Sequence, residues 1–228
     1  VIVLESELTI PQRERDEARI PRPEEFRYFT KDKRFLETLE KVATAVSMHD
    51  PCLLEGETAA SKTSSILYLA MLAKHEVVRM NLNGQTDTSE LIGKFVPNDG
   101  SMQIEFEELL HHAELLSEGS RSILMRANSE ARSLSLVESE KIAQNENMKV
   151  PEWRWKDGLI PEAMRKGFWV ILDELNLAEP QILERINSVL EKNPSLTLSE
   201  NGGVKIGPGG KQEVSEEFRI FGTMNPAE

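Results

Sequence analysis

The sequence predicts a three-layer α/β fold, in which a central parallel sheet lies between two layers of helices. Three short apolar runs indicate its strands, at residues 51–55, 168–172 and 218–223. Strands that are covered on both faces are apolar along their whole length, which is typical of a parallel sheet. Each run ends in small or polar residues, and segments with helical periodicity separate the runs. We therefore expect strands and helices to alternate around one core.

The composition limits the possible classes of function. The chain has 228 residues, of which 39% are hydrophobic and 29% are charged, as is typical of a globular domain in water. Its formal net charge of −12 argues against nucleic acid as a partner, because a phosphate backbone requires a basic surface. The single cysteine, Cys52, cannot form an internal disulfide and fits a reducing compartment. We expect an intracellular, cytoplasmic protein, with the nucleus and the mitochondrion as alternatives.

Residues 1–30 are predicted to be an N-terminal segment that lies over a core, and residues 31–228 to be one domain. The first 30 residues mix short apolar stretches with charge and proline, which does not favour an independent fold. They lack the basic region of a signal peptide, and no apolar stretch of the chain reaches the length of a membrane span. A start at Val1 and an end directly after a motif lead us to expect a piece of a longer protein.

The first predicted strand leads into the stretch on which the functional prediction depends. Apolar residues at helical spacing predict a helix at 35–46, before the strand, and a second helix at 64–73, after it. A buried strand, a loop of small residues, a Lys-Thr pair and a helix form the context of a phosphate-binding P-loop. This predicts a P-loop NTPase sandwich. The candidate nucleotide-binding residues are Gly56, Glu57, Thr58, Ala59, Ala60, Ser61, Lys62 and Thr63.

The chemistry of this loop follows from its parts. Backbone N–H groups of the loop and of the following helix point at an anion, and the helix dipole favours negative charge there. Lys62 would reach the β- and γ-phosphates of ATP, and the Thr63 hydroxyl would bind Mg²⁺. Taken alone, the stretch is also compatible with a polar turn between a strand and a helix.

Two residues depart from the P-loop pattern. The pattern G-x-x-x-x-G-K-[ST] has glycine where this chain has Ser61, and many such loops have glycine where it has Ala59. Glycine provides left-handed backbone geometry or a close approach to phosphate. A side chain in that geometry costs about 1–2 kcal/mol, whereas micromolar binding is worth about 8 kcal/mol. We expect ATP binding to be weakened about tenfold or more but not abolished.

The middle of the chain predicts an insertion. A second strand is predicted at 77–81, and residues 86–90 resemble a helix start. Residues 101–150 then have apolar positions that predict two amphipathic helices, at 106–116 and 123–134, with a break at 118–120. They indicate a helical hairpin inserted into the α/β core. The adjacent His111 and His112 point in different directions on a helix, which favours solvated surface over a metal site.

The last third of the chain contains the remaining elements. A turn with aromatic anchors is predicted at 153–161, followed by a short helix at 162–166. The strand at 168–172 is followed by a helix near 182–190. A β-hairpin is predicted from two short strands, 196–199 and 204–206, that flank a Gly-Gly turn.

Three candidate sites fall at the carboxyl ends of three predicted strands: the P-loop, the pair Asp173 and Glu174, and Asn225. In an open α/β sheet, ligands bind at that edge. Asp173 would hold Mg²⁺ through water, and Glu174 would orient and activate the attacking water. Asn225 would hydrogen-bond that water or the γ-phosphate. A helix cap or a turn explains each residue alone, but their joint order predicts ATP hydrolysis.

Residues 155–159, 168–178 and 221–226 together resemble the AAA+ ATPases of the MoxR, midasin and dynein-related group. The resemblance covers roughly residues 30–228 and is weakest in the insertion. It implies that Lys62 and Thr63 match the Walker A pair, that Asp173 and Glu174 match Walker B, and that Asn225 matches sensor 1.

The resemblance also implies an AAA+ large subdomain with a pre-sensor-1 hairpin at 196–206 and a helical insertion at about 101–150. Its cofactors would be ATP or ADP with Mg²⁺, and its partners would be neighbouring AAA+ units in a ring of six and a protein client, with no nucleic acid and no membrane. Gly56 matches the first Walker A glycine. The chain stops before the arginine finger, the helical lid and sensor 2 of the family.

We therefore predict an AAA+ ATPase module that couples ATP hydrolysis to the remodelling of a protein complex within a ring. One alternative is a unit that binds nucleotide without hydrolysing it, which the departures at Ala59 and Ser61 favour. Another is a scaffold that binds no nucleotide. A titration with ATP separates the scaffold from the other two.

Overall fold

A computed structural model describes residues 2–3, 6–8, 10, 15–27, 30–57, 61–97, 110, 113–130, 134–146 and 152–226. The chain divides into two compact units, Val1–Lys94 with Asp157–Glu228, and Phe95–Lys156. The strands are β1 (Ile2–Val3), β2 (Ser6–Glu7), β3 (Cys52–Glu55), β4 (Val77–Asn81), β5 (Gly93–Pro97), β6 (Trp153–Asp157), β7 (Trp169–Asp173), β8 (Leu196–Leu198), β9 (Val204–Ile206) and β10 (Arg219–Met224). The helices are α1 (Lys33–Ser47), α2 (Lys62–Ala73), α3 (Thr88–Leu91), α4 (Glu118–Ser129), α5 (Leu136–Asn145), α6 (Leu159–Lys166) and α7 (Pro180–Ile186).

The central sheet of the first unit has four parallel strands in the order β3-β10-β7-β4. Strand β7 is buried at every residue, as its apolar sequence requires for a strand covered on both faces. The register places Asn81 beside Asp173, and Thr223 beside Leu54. The carboxyl ends of the four strands therefore lie at one edge. The predicted three-layer α/β fold of a P-loop NTPase is confirmed.

Helices α1 and α2 pack against each other and against this sheet. The buried apolar residues of α1 recur on one side, whereas α2 is apolar along most of its length. Helix α1 begins where the Asp32 carboxylate accepts a hydrogen bond of 2.8 Å from the Phe35 N–H, a standard helix cap. The predicted helices at 35–46 and 64–73 are thereby confirmed, with starts slightly earlier in the chain. The core that the two helices share with the sheet contains Trp169 and Phe221. Both side chains are buried, and their ring centroids are 5.3 Å apart.

The N-terminal segment contacts the rest of the first unit at several points. Strands β1 and β2 pair antiparallel, and Leu8 is buried within the core cluster. The Asp16 N–H donates to Glu76 Oε1 at 2.8 Å, and Arg15 donates to the Lys74 carbonyl at 3.2 Å. These contacts fit a segment that lies over a core, and its boundary at residue 30 stays a prediction.

The second unit contains a helical hairpin formed by α4 and α5, with Leu124 and Ile142 fully buried between them. Its two ends are tied by Glu146, whose carboxylate accepts hydrogen bonds from the Ser117 hydroxyl and from the Ser117 N–H, the latter at 2.9 Å. These bonds, with one from Ser120, hold the pKa of Glu146 below its usual range, because they stabilise the charged form.

Some helix boundaries predicted in this region were wrong. The predicted break at 118–120 is the first turn of α4, because the Ser117 side chain caps the helix there. The helix predicted at 123–134 ends at Ser129, and α5 follows with its own capping box from Ser135. Most of the helix predicted at 106–116, together with His111 and His112, lies outside the described residues.

The prediction of a turn at 153–161 was also wrong. Residues 153–157 are β6, which forms a two-stranded sheet with β5, and Phe95 and Trp155 meet edge to face at 5.3 Å. Aromatic and charged residues alternate there, which is the strand period. Helix α6 begins before the predicted residue 162, because Pro161 is tolerated within a first helical turn. The hairpin of β8 and β9 forms as predicted.

No helix among the described residues is long and apolar enough to span a membrane.

Candidate functional site

A cavity of about 230 Å³ opens at the carboxyl edge of the central sheet. Residues from four places in the sequence meet there, because parallel strands in one register end together. The lining residues are Ser61, Lys62, Thr63, Ser64, Arg79, Asn81, Asp173, Glu174, Thr223 and Asn225. Of the predicted site residues, the cavity therefore brings together Ser61, Lys62, Thr63, Asp173, Glu174 and Asn225, whereas Gly56 and Glu57 do not line it. Thr58, Ala59 and Ala60 lie outside the described residues.

The end of the loop has left-handed backbone geometry. Ser61 has φ 57° and ψ 21°, and its side chain makes no capping hydrogen bond to α2. Its carbonyl instead accepts from the Ser65 N–H at 2.9 Å and from the Ser65 hydroxyl at 2.8 Å. The position therefore has the conformation for which glycine is preferred. The folded chain carries this strain, so we expect Ser61 to lower the stability of the chain more than its affinity for nucleotide.

We expect Ser61→Gly to raise the free energy of unfolding by about 0.5–1 kcal/mol, because glycine adopts this geometry without strain but loses more chain entropy. Nucleotide affinity should change by less than about threefold. Urea unfolding measures the first quantity and calorimetry the second. Ser64→Gly, in the helical first turn of α2, is the matched control and should destabilise the chain. Much tighter nucleotide binding in Ser61→Gly with no gain in stability would contradict this account.

The Lys62 ammonium is fully engaged within the chain. Its Nζ donates to the carbonyl oxygens of Gly56 at 2.6 Å and Glu57 at 2.9 Å, and to Asn225 Oδ1 at 3.2 Å. An ammonium group has three donors, and these contacts use all of them. Lys62 thus links the start of the loop to the end of β10, and an incoming phosphate would have to replace some of these acceptors.

Asp173 is the buried acidic group of the cavity, with a side chain only 6% exposed. Its Oδ1 accepts hydrogen bonds from the Thr63 hydroxyl at 2.8 Å and from the Thr223 hydroxyl at 2.7 Å. Its Oδ2 accepts from Arg79 Nε in an ion pair. A buried carboxylate requires such partners, because an unpaired charge is costly inside a protein.

The donor set at Asp173 and Thr63 fits Mg²⁺. Both groups offer hard oxygen ligands, and their oxygens lie 2.8 Å apart. Magnesium in proteins is usually held by one or two carboxylates together with waters and substrate phosphates. The described part of the chain contains no cluster of three or more His, Cys, Asp or Glu side chains that could hold a metal ion by itself.

Glu174 follows β7 directly and lines the same cavity. Its backbone is left-handed, with φ 56° and ψ 45°. Among the described non-glycine residues, positive φ occurs at His49, Ser61, Lys74 and Glu174, and two of these line this cavity. Strained backbone persists where the surrounding structure enforces it, which is common at functional sites. The left-handed backbone at Glu174 accords with a functional role for this residue.

The structure adds Ser64, Arg79, Asn81 and Thr223 to the site, and sequence reasoning missed all four. The signal was available in period-2 alternation, since Arg79 and Asn81 alternate with apolar residues along β4 and so face the same side. Thr223 likewise precedes Asn225 by two residues. Its hydroxyl contact with Asp173 depends on the pairing of β10 with β7.

Residues 124–228 match the AAA domain family, dynein-related subfamily. Midasin from Dictyostelium discoideum is 30% identical over 216 residues, which covers 81% of this chain and 4% of that protein. The chain belongs to the midasin and dynein-related branch of the AAA+ proteins. Midasin from Giardia intestinalis is also 30% identical, over 187 residues, with 81% of this chain and 4% of that protein covered.

The chain therefore spans a small fraction of the midasins that it resembles. A crystal structure of a protein from Cytophaga hutchinsonii superposes with a TM-score of 0.45 at 14% identity, over 86% of this chain and 43% of that chain. That likeness is too distant to add to the assignment. Membership of this AAA+ branch supports nucleotide binding and ATPase activity in general terms.

Proposed function

We propose that this chain is the ATP-binding and ATP-hydrolysing large subdomain of a midasin-like AAA+ module. The observation that supports it is the convergence of Lys62, Thr63, Asp173, Glu174 and Asn225 on one cavity of about 230 Å³. These residues come from distant parts of the chain, and each has the chemistry that phosphoryl transfer requires. A polar turn or a helix cap would explain any one of them but not their meeting.

In this proposal each side chain has a distinct role. Lys62 binds the β- and γ-phosphates, together with backbone N–H groups at the start of α2. Thr63 and Asp173 hold Mg²⁺, which when bound neutralises phosphate charge. Glu174 orients the attacking water and accepts its proton, and Asn225 hydrogen-bonds that water or the γ-phosphate.

We further propose that the module couples ATP turnover to the remodelling of a protein complex within a ring of AAA+ units. Membership of the AAA+ branch supports assembly with neighbouring units. The helical insertion would project as an interaction element toward a client or a neighbour and supply no catalytic group. Its exposed apolar side chains Leu115, Met125 and Val137 accord with that role.

Titration of the purified chain with Mg²⁺-ADP and Mg²⁺-ATP tests the proposal. We expect saturable heat in calorimetry and a raised melting temperature, because ligand that binds only the folded state stabilises it. Omission of Mg²⁺ is the internal control and should weaken binding. Absence of heat with millimolar nucleotide on a folded chain would reject the proposal in favour of a scaffold.

The second candidate is a unit that binds nucleotide without hydrolysing it. It is favoured by Ser61 in place of glycine and by the contacts within the cavity. Lys62 and Asp173 already have hydrogen-bond partners in the chain there. Glu174 argues against it, since a purely structural site does not require a group that activates water. Single-turnover hydrolysis in the full-length assembly separates the two candidates.

A further inference from the structure

Arg79 is the charged side chain of the cavity that the roles above leave without a function. It lies on β4, and the register places it beside Ile171, two residues before Asp173 on the neighbouring strand. Its Nε donates to Asp173 Oδ2. The cavity therefore contains a second basic side chain besides Lys62, and that side chain is held by the carboxylate proposed to serve the metal.

The two partners differ in how firmly they are held. The Asp173 side chain is 6% exposed and has two further hydrogen bonds, from Thr63 and Thr223, whereas the Arg79 side chain is 54% exposed. Release of Arg79 would leave Asp173 in place, because the two hydroxyls still bind its Oδ1. The guanidinium can move toward solvent without being desolvated further.

A metal ion and Arg79 would compete for the Asp173 carboxylate. Both are cations, and a water molecule joining Asp173 to Mg²⁺ would need Oδ2, the oxygen that Thr63 and Thr223 do not use and Arg79 occupies. Like charges that share one site repel strongly where the surroundings are partly buried. Arg79 supplies the positive charge that a buried carboxylate requires when no metal is present.

We propose that Arg79 sets the Mg²⁺ requirement of this site: it neutralises Asp173 in the nucleotide-free chain, and Mg²⁺ must displace it when nucleotide binds. The inference rests on the proposed nucleotide binding. Arg79 is a positioning residue in this account, since it acts through Asp173. Part of the affinity for Mg²⁺ is consumed in breaking the ion pair, so metal binding and release of Arg79 are coupled events.

The test uses a fluorescent N-methylanthraniloyl derivative of ADP, titrated into the purified chain over a series of Mg²⁺ concentrations. In Arg79→Met the Mg²⁺ concentration for half-maximal binding should fall about tenfold, because the competing cation is gone. Arg79→Lys keeps the charge without the planar donor and should give a smaller fall, about two- to threefold. Arg185→Met is the matched control, since Arg185 pairs with Glu200 at 2.7 Å and does not line the cavity.

A second readout does not depend on nucleotide fluorescence. Without Mg²⁺, Arg79→Met should melt at a lower temperature than the wild type, because Asp173 loses its counterion. Mg²⁺ with ADP should then raise the melting temperature of Arg79→Met more than that of the wild type. The same comparison in Arg185→Met should show no such difference.

The outcomes separate this inference from the proposed function. If the wild type binds no nucleotide, the proposed function fails and the inference fails with it. If the wild type binds, but Arg79→Met requires as much Mg²⁺ as the wild type or more, Arg79 does not compete with the metal. That result would overturn this inference and leave the proposed function standing.

Discussion

Glu174→Gln in the full-length assembly is expected to lower single-turnover ATP hydrolysis by about 10²–10⁴-fold while ATP stays bound. Glutamine keeps the shape of the side chain but loses the charge that accepts a proton from water. Affinity for ATP should be nearly unchanged, since Asp173 and Lys62 remain. The left-handed backbone at Glu174 is retained in this variant, so the orientation of the side chain is preserved.

The matched control for this experiment is Glu179→Gln. Glu179 is exposed, follows Glu174 by five residues and makes no side-chain capping bond to α7. It should hydrolyse ATP like the wild type. Hydrolysis is followed in a single turnover with radiolabelled ATP, and retention of nucleotide is followed by filter binding. If the wild-type assembly itself never hydrolyses ATP at this site, the non-hydrolysing candidate is correct.

Lys62→Ala is expected to weaken binding of Mg²⁺-ADP by about 10- to 100-fold, because a charge-assisted hydrogen bond to phosphate is lost. A second effect adds to this loss. Lys62 joins the Gly56 and Glu57 carbonyls to Asn225, so its removal also loosens the loop and the end of β10. We therefore expect lower affinity together with a modest fall in melting temperature.

Calorimetry measures the affinity in this experiment, and thermal unfolding without nucleotide measures the stability. Lys41→Ala is the matched control, since Lys41 is an exposed residue of α1 that does not line the cavity. It should bind Mg²⁺-ADP like the wild type. Unchanged affinity in Lys62→Ala would show that nucleotide, if it binds, is held elsewhere, and the phosphate role of this loop would be rejected.

Several features of this protein were determined by the sequence alone. The apolar runs predicted β3, β7 and β10, although only β7 is buried at every residue, and β3 at the end of the strand order alternates between half-buried and exposed residues. The polar residues that follow each run had to lie at one sheet edge, since parallel strands end together. The proximity of Lys62, Asp173 and Asn225 follows from that rule, and their roles in hydrolysis stay predictions.

Local boundaries were harder to predict where capping or pairing competes with periodicity. Residues 118–120 suggested a break, but the Ser117 side chain caps a helix there. Residues 153–157 suggested a turn, but they pair with β5. The cap depends on one hydrogen bond, which the spacing of apolar residues does not show, whereas the alternation at 153–157 already had the strand period.

Only the tertiary structure decided the backbone geometry and the contacts of the site. The sequence indicated that Ser61 departs from glycine, and the structure shows that its backbone is left-handed. The structure also shows the ion pair between Arg79 and Asp173. This pair forms because β4 and β7 are neighbouring strands. Spacing along a chain predicts which side chains reach an edge, whereas the order of strands across the sheet decides which of them meet. The contacts of Asp173 with Thr63, Arg79 and Thr223 are of the second kind, because each joins residues that are distant in sequence.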